Sequence, residues 1–231
     1  MSTNKKIEEG LLNLKTQAKA MICGIDEAGR GCIIGPMVIA VASISQLEEY
    51  KLKEMGVKDS KQLSPKRRED LYVQIMQICK VSTTHISAKE ITELMDKYSL
   101  NEIEAIFISK LVKDTDAQTL FVDSPDNVPA NFAKRIRKYL KGKKLKIVSE
   151  NKADVNHPIV AAASVIAKVQ RDAQIEKIKK EMGENFGSGY TSDPNTIEFL
   201  KKRLNDKELQ PYLRHKWATL KRLGQKKISD F

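Results

Sequence analysis

At 231 residues, with 41% hydrophobic and 31% charged positions, the chain is long enough to bury the core of one ordinary domain, and it has no apolar run near the ~20 residues that would span a bilayer. Cys23, Cys32 and Cys79 form no C-x-x-C pair, which argues against a disulfide framework or zinc site and suits a reducing cytoplasm. The formal charge of +11 favours a polyanionic partner such as nucleic acid, and the segment 134–146 concentrates eight Lys or Arg with no acid, although a solvated helix face has the same composition.

Residues 1–20 lack the continuous apolar core of a signal peptide and read as a partly helical extension. The apolar run 21–25 ends in Asp26 and Glu27, and the β-branched run 37–44 follows a Gly35-Pro36 turn, so the two read as strands joined by a glycine-rich loop. Residues 65–79 have helical periodicity, with Ser64 as cap and Pro65 at the first helical position. A strand is expected over 81–86, helices over 88–97 and 101–113, and a buried strand over 119–122 that ends at Asp123.

Further on, residues 132–140 read as a helix and 145–148 as a strand. A long helix over 158–182 begins with Ala161, Ala162, Ala163 and Ala167, small enough to let it approach a sheet closely. Shorter helices over 195–204 and 216–223 precede a polar tail, 224–231. Strands alternating with helices predict an α/β fold whose first strands pair as hairpins, within one catalytic unit over 21–223 that carries a helical C-terminal appendage.

Two separate apolar strands thus end in carboxylates, Asp26 with Glu27 and Asp123, at the strand ends where α/β sheets collect ligands. Clustered acids repel one another and are costly to desolvate unless they hold cations, and oxygen-only ligands select hard ions such as Mg²⁺ or Mn²⁺. Two such ions about 4 Å apart can activate a water and stabilise the leaving oxygen of a phosphodiester. Asp154 reads equally as a further ligand or as a cap before the 158–182 helix. The Gly29-Arg30-Gly31 loop exposes backbone amides as phosphate- and sugar-binding loops do, and equally suits a plain hairpin turn.

These residues lie in five ordered blocks that resemble the ribonuclease HII family. They are Gly24-Ile25-Asp26-Glu27-Ala28-Gly29-Arg30-Gly31 with Gly35-Pro36-Met37-Val38, then Asp59-Ser60-Lys61-Gln62-Leu63, then Val122-Asp123-Ser124-Pro125. Lys152-Ala153-Asp154 leads into Ala161-Ala162-Ala163-Ser164-Val165-Ile166-Ala167-Lys168 with Arg171-Asp172 beyond, and Gly187-Ser188-Gly189-Tyr190-Thr191-Ser192-Asp193 completes the set. The resemblance covers about residues 21–220 and implies a ribonuclease H-like fold, a mixed central sheet flanked by helices.

It further implies a four-carboxylate centre of Asp26, Glu27, Asp123 and Asp154 holding two divalent ions, Mg²⁺ or Mn²⁺, with Asp26 and Asp123 central. In the family the Gly-Arg-Gly loop contacts the ribonucleotide 2′-hydroxyl, the group that distinguishes RNA from DNA, which assigns that role to Gly29, Arg30 and Gly31. The junction-sensing tyrosine falls on Tyr190, and Lys61 and Lys168 fall where phosphates are held. The implied activity is hydrolysis of the RNA strand of RNA/DNA hybrids and incision 5′ to a ribonucleotide in duplex DNA, by a cytoplasmic monomer.

Cys32 and Thr191 stand where many members carry proline, and Asn151 where some carry histidine, which bears on loop rigidity and substrate preference. His85, His157 and His215 lie outside the acid motifs, so no histidine base is expected. In the tail, Gln225, Ile228 and Phe231 have the spacing of the peptide by which replication proteins bind a PCNA-type sliding clamp. Two other readings share part of this pattern. A non-catalytic hybrid-binding protein would share the charge but has no use for four acids at a nucleic-acid groove. A ribonuclease HIII normally carries a separate N-terminal binding domain, whereas residues 1–20 alone precede the first strand here.

Overall fold

The computed structural model describes residues 20–57 and 63–224. Its centre is a five-stranded sheet in the order β3-β2-β1-β4-β5. β1 (Met21–Ala28), β2 (Met37–Ser45) and β3 (Lys80–Ile86) form an antiparallel meander, and β4 (Thr119–Asp123) and β5 (Lys146–Glu150) add in parallel on the far side of β1. β1 and β2 read as near-continuous apolar runs because both faces of this central pair are covered.

The helices are α1 (Glu49–Glu54), α2 (Pro65–Ile78), α3 (Ala88–Leu94), α4 (Leu100–Lys113), α5 (Pro129–Tyr139), α6 (Ala153–Asn156), α7 (Pro158–Met182), α8 (Pro194–Arg203) and α9 (Ala218–Gly224). Ser64 starts α2 as the sequence predicts: its hydroxyl accepts from the Arg67 N–H at 3.2 Å and Pro65 follows. On one face of the sheet, Ile159–Ala167 of α7 pack with α1 and α2 against Ile22, Ala40, Ala42 and Ile44. On the other, α3, α4 and α5 cover Cys23, Ile25, Met37, Ile39, Val41, Leu120 and Val122.

Gly24 explains how closely α7 lies on β1: a Cβ there would sit 2.4 Å from the Ile159 carbonyl carbon and oxygen. A third cluster joins Ile33 and Ile34, the far half of α7 (Ile175, Ile178, Met182), Phe186, α8 and Leu209, Leu213 and Leu220. The helical appendage is therefore packed onto the loop between β1 and β2 as well as onto α7.

Four differences from the sequence reading have local causes. β1 continues through the acids to Ala28 because β2 keeps pairing with it as far as Ala28 opposite Val38. α3 stops at Leu94, the next residues forming a turn before Ser99 caps α4. α1 is strongly charged and buries Leu52 alone, so it carries no apolar stripe to read. α6 is four residues long, below the reach of periodicity, and follows Lys152 in the left-handed conformation. No helix among the described residues is long and apolar enough to cross a membrane. Residues 1–19, Lys61 and the tail positions Gln225, Ile228 and Phe231 lie outside the described residues.

Candidate active site

The parallel pairing of β1 with β4 ends at Ile25 opposite Val122, so Asp26 and Asp123 occupy the next step on adjacent strands. Strand alternation turns Asp26 and Asp123 to the α7 face, with Ile22, Gly24 and Phe121, and turns Glu27 to the α4 face with Cys23 and Ile25. Asp26 is buried; Ser164 of α7 donates to its carboxylate, and the Glu27 N–H donates to its Oδ1 at 2.9 Å. Burial, then the charge of Glu27 and more weakly of Asp123, holds the Asp26 carboxyl well above the usual carboxylate range despite those two bonds.

Asp123 Oδ1 accepts from the Ala153 N–H at 2.8 Å, so the start of α6 is pinned to the end of β4. Asp154, the next residue, is buried. It does not cap α7, whose N-cap His157 has no side-chain cap bond. Among the described residues no three acid, histidine or cysteine side chains converge in coordination geometry. Asp26 and Asp123 instead turn their oxygens to Ser164 and to main-chain N–H groups, as mutually repelling carboxylates do. His157 lies nearer than the sequence suggested, packed 4.3 Å from Phe121 and bonded to Glu150 at 3.1 Å, opposite Asp123 in the sheet, but its partner is Glu150 and none of the four acids.

The Gly29-Arg30-Gly31 loop is tied to Tyr190 from 161 residues away: the Gly29 N–H donates to the Tyr190 hydroxyl at 3.0 Å. Arg171, buried under the tyrosine with its guanidinium 4.7 Å from the ring, donates to the Ser188 carbonyl. Gly29 has φ +82°, which demands glycine, but Gly31 has neither a left-handed φ nor any atom within 4 Å of where its Cβ would lie. Among the described residues, no contact and no backbone conformation requires glycine at Gly31. Cys32 helps to hold the loop, its thiol donating to the Gly29 carbonyl at 3.0 Å. Asn151 joins the ends of β4 and β5 by donating to the Ser124 and Asp126 carbonyls, each at 3.1 Å.

Arg30 turns inward. Its Nε meets Glu104 Oε1 of α4 at 2.6 Å, and its Nη2 donates to Asn101, which donates in turn to Asp126. Glu104 is 1% exposed, and its second oxygen has no hydrogen-bond partner among the described residues. Burial raises the carboxyls of both Glu27 and Glu104; the Glu104 charge raises Glu27 further, and Arg30 opposes the rise in each. Glu104 thus belongs to the site although no motif points to it.

Lys168 is half-buried and paired with Asp172 at 2.7 Å, on a cleft of about 540 Å³ that Arg68, Arg171 and Ser188 also line. Half of the basic residues in segment 134–146 are committed to the fold. Arg135 and Lys138 bind Glu102 at 2.9 and 2.7 Å, and Arg135 also binds Asp126. Arg137 and Lys143 donate to main-chain carbonyls, Lys143 to those of Val112, Lys113 and Thr115 at the end of α4. The expected nucleic-acid face therefore keeps Lys134, Lys141, Lys144 and Lys146, which form no ion pair among the described residues.

Comparison with known proteins identifies the family. The family model for Ribonuclease HII matches residues 23–220. A Ribonuclease HII of Methanococcus maripaludis is 45% identical over 95% of this chain and 94% of its own length. Among solved structures, the PCNA:RNase HII complex from Archaeoglobus fulgidus superposes with a TM-score of 0.82 at 40% identity, over 91% of this chain and 100% of that one. The ribonuclease H2 from Pyrococcus horikoshii gives 0.78 at 40% identity, over 88% and 96%. With the family model matching residues 23–220, the chain belongs to the ribonuclease HII family of endoribonucleases.

Proposed function

We propose that the chain hydrolyses the RNA strand of RNA/DNA hybrids and incises duplex DNA 5′ to an embedded ribonucleotide, leaving 3′-hydroxyl and 5′-phosphate ends. The observation that carries this reading is the adjacency of Asp26 and Asp123 at the ends of two parallel strands, beside a glycine loop held by the Tyr190 hydroxyl. The donor set is all oxygen, and burial, with the charge of Glu27 on Asp26 and of Glu104 and Asp123 on Glu27, makes Asp26 and Glu27 reluctant to ionise. Such a set fits hard divalent ions, with Asp26, Glu27, Asp123 and Asp154 as the ligands and two Mg²⁺ or Mn²⁺ as the occupants. Bound there, the ions supply charge neutralisation at the scissile phosphate.

The chain's own residues do the rest. Ser164 and the Glu27 N–H fix the Asp26 carboxylate, and the Ala153 N–H fixes that of Asp123. Gly31 leaves open space for a sugar, so the loop amides meet the 2′-hydroxyl. Tyr190, braced by Arg171, stacks on the next deoxyribose, while Lys168 and Lys61 hold phosphates. The test is a duplex with one ribonucleotide, incubated with Mg²⁺, Mn²⁺ or EDTA. A nick 5′ to the ribonucleotide that EDTA abolishes is expected; cutting in EDTA, or none with either metal, would end the proposal.

The Archaeoglobus fulgidus relative is seen in complex with PCNA. Gln225, Ile228 and Phe231 would let this chain, acting as a cytoplasmic monomer, dock on a sliding clamp by a short turn that plugs Ile228 and Phe231 into an apolar groove. Deleting residues 224–231 then abolishes clamp binding in calorimetry; unchanged affinity would remove the tail from the account.

A further inference from the structure

Arg214 is fully buried, yet it forms no ion pair among the described residues, Glu104 acting on it only from beyond contact. Its partners are three carbonyls of one loop: Nη1 donates to Arg30 at 2.7 Å, Nη2 to Gly29 at 2.6 Å and to Gly35 at 3.1 Å, and Nε to Gly35 at 3.2 Å. The Trp217 ring covers the guanidinium at 5.0 Å. Burying an unpaired guanidinium costs several kcal/mol before compensation, so a purely structural link would be made more cheaply by a neutral group. The segment carrying Arg214 is itself fixed to the loop, because the Arg214 N–H donates to the Ile33 carbonyl at 3.1 Å and the Gly35 N–H to the Tyr212 carbonyl at 2.9 Å.

The peptide bonds here are trans, so each carbonyl and the N–H of the following residue point in opposite directions. With the Gly29 and Arg30 carbonyls drawn toward Arg214, the Arg30 and Gly31 N–H groups are turned away from it, toward the side where Gly31 meets open space. Neither N–H makes a hydrogen bond among the described residues, whereas the Gly29 N–H is satisfied by Tyr190. A charge behind the two carbonyls also polarises those peptides and strengthens their N–H groups as donors.

We propose that Arg214 is a positioning residue for ribonucleotide recognition: from behind the loop it aims the Arg30 and Gly31 amides at the substrate's 2′-oxygen. This rests on the ribonuclease reading above, and it assigns a part in specificity to the C-terminal appendage. Sequence could not show it, since Arg214 lies 184 residues from Arg30.

The test uses Arg214→Lys, which keeps the charge but cannot span three carbonyls, and Trp217→Leu, which only uncovers the guanidinium. Leu209→Ala, in the same apolar cluster, serves as a control for lost stability. Turnover of a single-ribonucleotide duplex is measured well below each melting temperature, together with Kd for that duplex and for the all-DNA duplex in Ca²⁺. For Arg214→Lys, kcat should fall on the order of 10- to 100-fold while KM rises far less, because phosphate contacts set most of the affinity. The Kd preference for the ribonucleotide duplex should shrink while all-DNA binding holds. Trp217→Leu should shift the same ratios less, which keeps the idea testable if the lysine variant does not fold, and Leu209→Ala should leave them alone. An unchanged preference in both variants, or equal losses in Leu209→Ala, would overturn the role of Arg214. Failure of the unmodified protein to cut would instead sink the ribonuclease reading.

Discussion

Replacing Gly24 by alanine should loosen the sheet and the site together. The new Cβ would lie 2.4 Å from the Ile159 carbonyl carbon and oxygen and 2.6 Å from the Val160 nitrogen, where ordinary contact starts at 3.4 Å. All three atoms are backbone of the first turn of α7, so no side-chain rotation relieves the clash and the helix must retreat from β1 by about 1 Å. That stretch of α7 is buried from Ile159 to Ala167. Overpacking of this kind costs about 1–3 kcal/mol, and a backbone clash belongs at the upper end. For a chain of this size, about 3 kcal/mol lowers Tm by roughly 6–12 °C. The same retreat draws Ser164 away from Asp26, so turnover at 25 °C should fall as well. Gly31→Ala makes the contrast: with open space at its Cβ and no left-handed φ it should leave Tm within about 1 °C, yet impair cleavage. A Gly24→Ala protein melting within about 2 °C of the parent would refute the close-approach argument.

Asp26→Asn should abolish cleavage while hybrid binding, followed by fluorescence anisotropy, persists; parental turnover would remove Asp26 from the chemistry. Tyr190→Ala should cost most on single-ribonucleotide duplexes, by a stacking loss of about 1–3 kcal/mol, and an equal loss on long hybrids in the same kinetic assay would argue against junction sensing. Bonds from Lys138, then Tyr139 and Arg135, hold the Glu102 carboxyl down to about 2. Because the folded value is depressed, that stabilisation is present above the ordinary glutamate range near pH 4.5 and is lost as pH falls toward 2. Lys138 is largely exposed and Arg135 and Tyr139 partly so, which screens these bonds, and about 1 kcal/mol is expected. Glu102→Gln should therefore lower Tm by about 2–4 °C at pH 7 and by almost nothing near pH 2; a difference independent of pH would contradict the linkage.

The main strands and helices were legible because their apolar periodicity is enforced by burial, as in β2 and α5. The acids at the strand ends stood out for the same reason, being carboxylates that close apolar runs. The remainder depends on long-range pairing. Only the pairing with β2 reveals that β1 runs on to Ala28, and only the tertiary fold takes Arg135, Arg137, Lys138 and Lys143 out of the basic face. Glu104 reads as an ordinary acid of an amphipathic helix until Arg30, 74 residues away, is found bonded to it. Arg214 and Ser164 were hidden likewise, each defined by a partner on another element.

The most direct test is diffraction from crystals soaked in Mn²⁺, recorded at an energy where manganese scatters anomalously. Anomalous peaks within about 2.1 Å of Asp26 and Asp123 oxygens, with Glu27 and Asp154 completing the coordination, are the expected result. Manganese bound elsewhere, with these acids still facing Ser164 and the main-chain N–H groups, would contradict the assignment of the site.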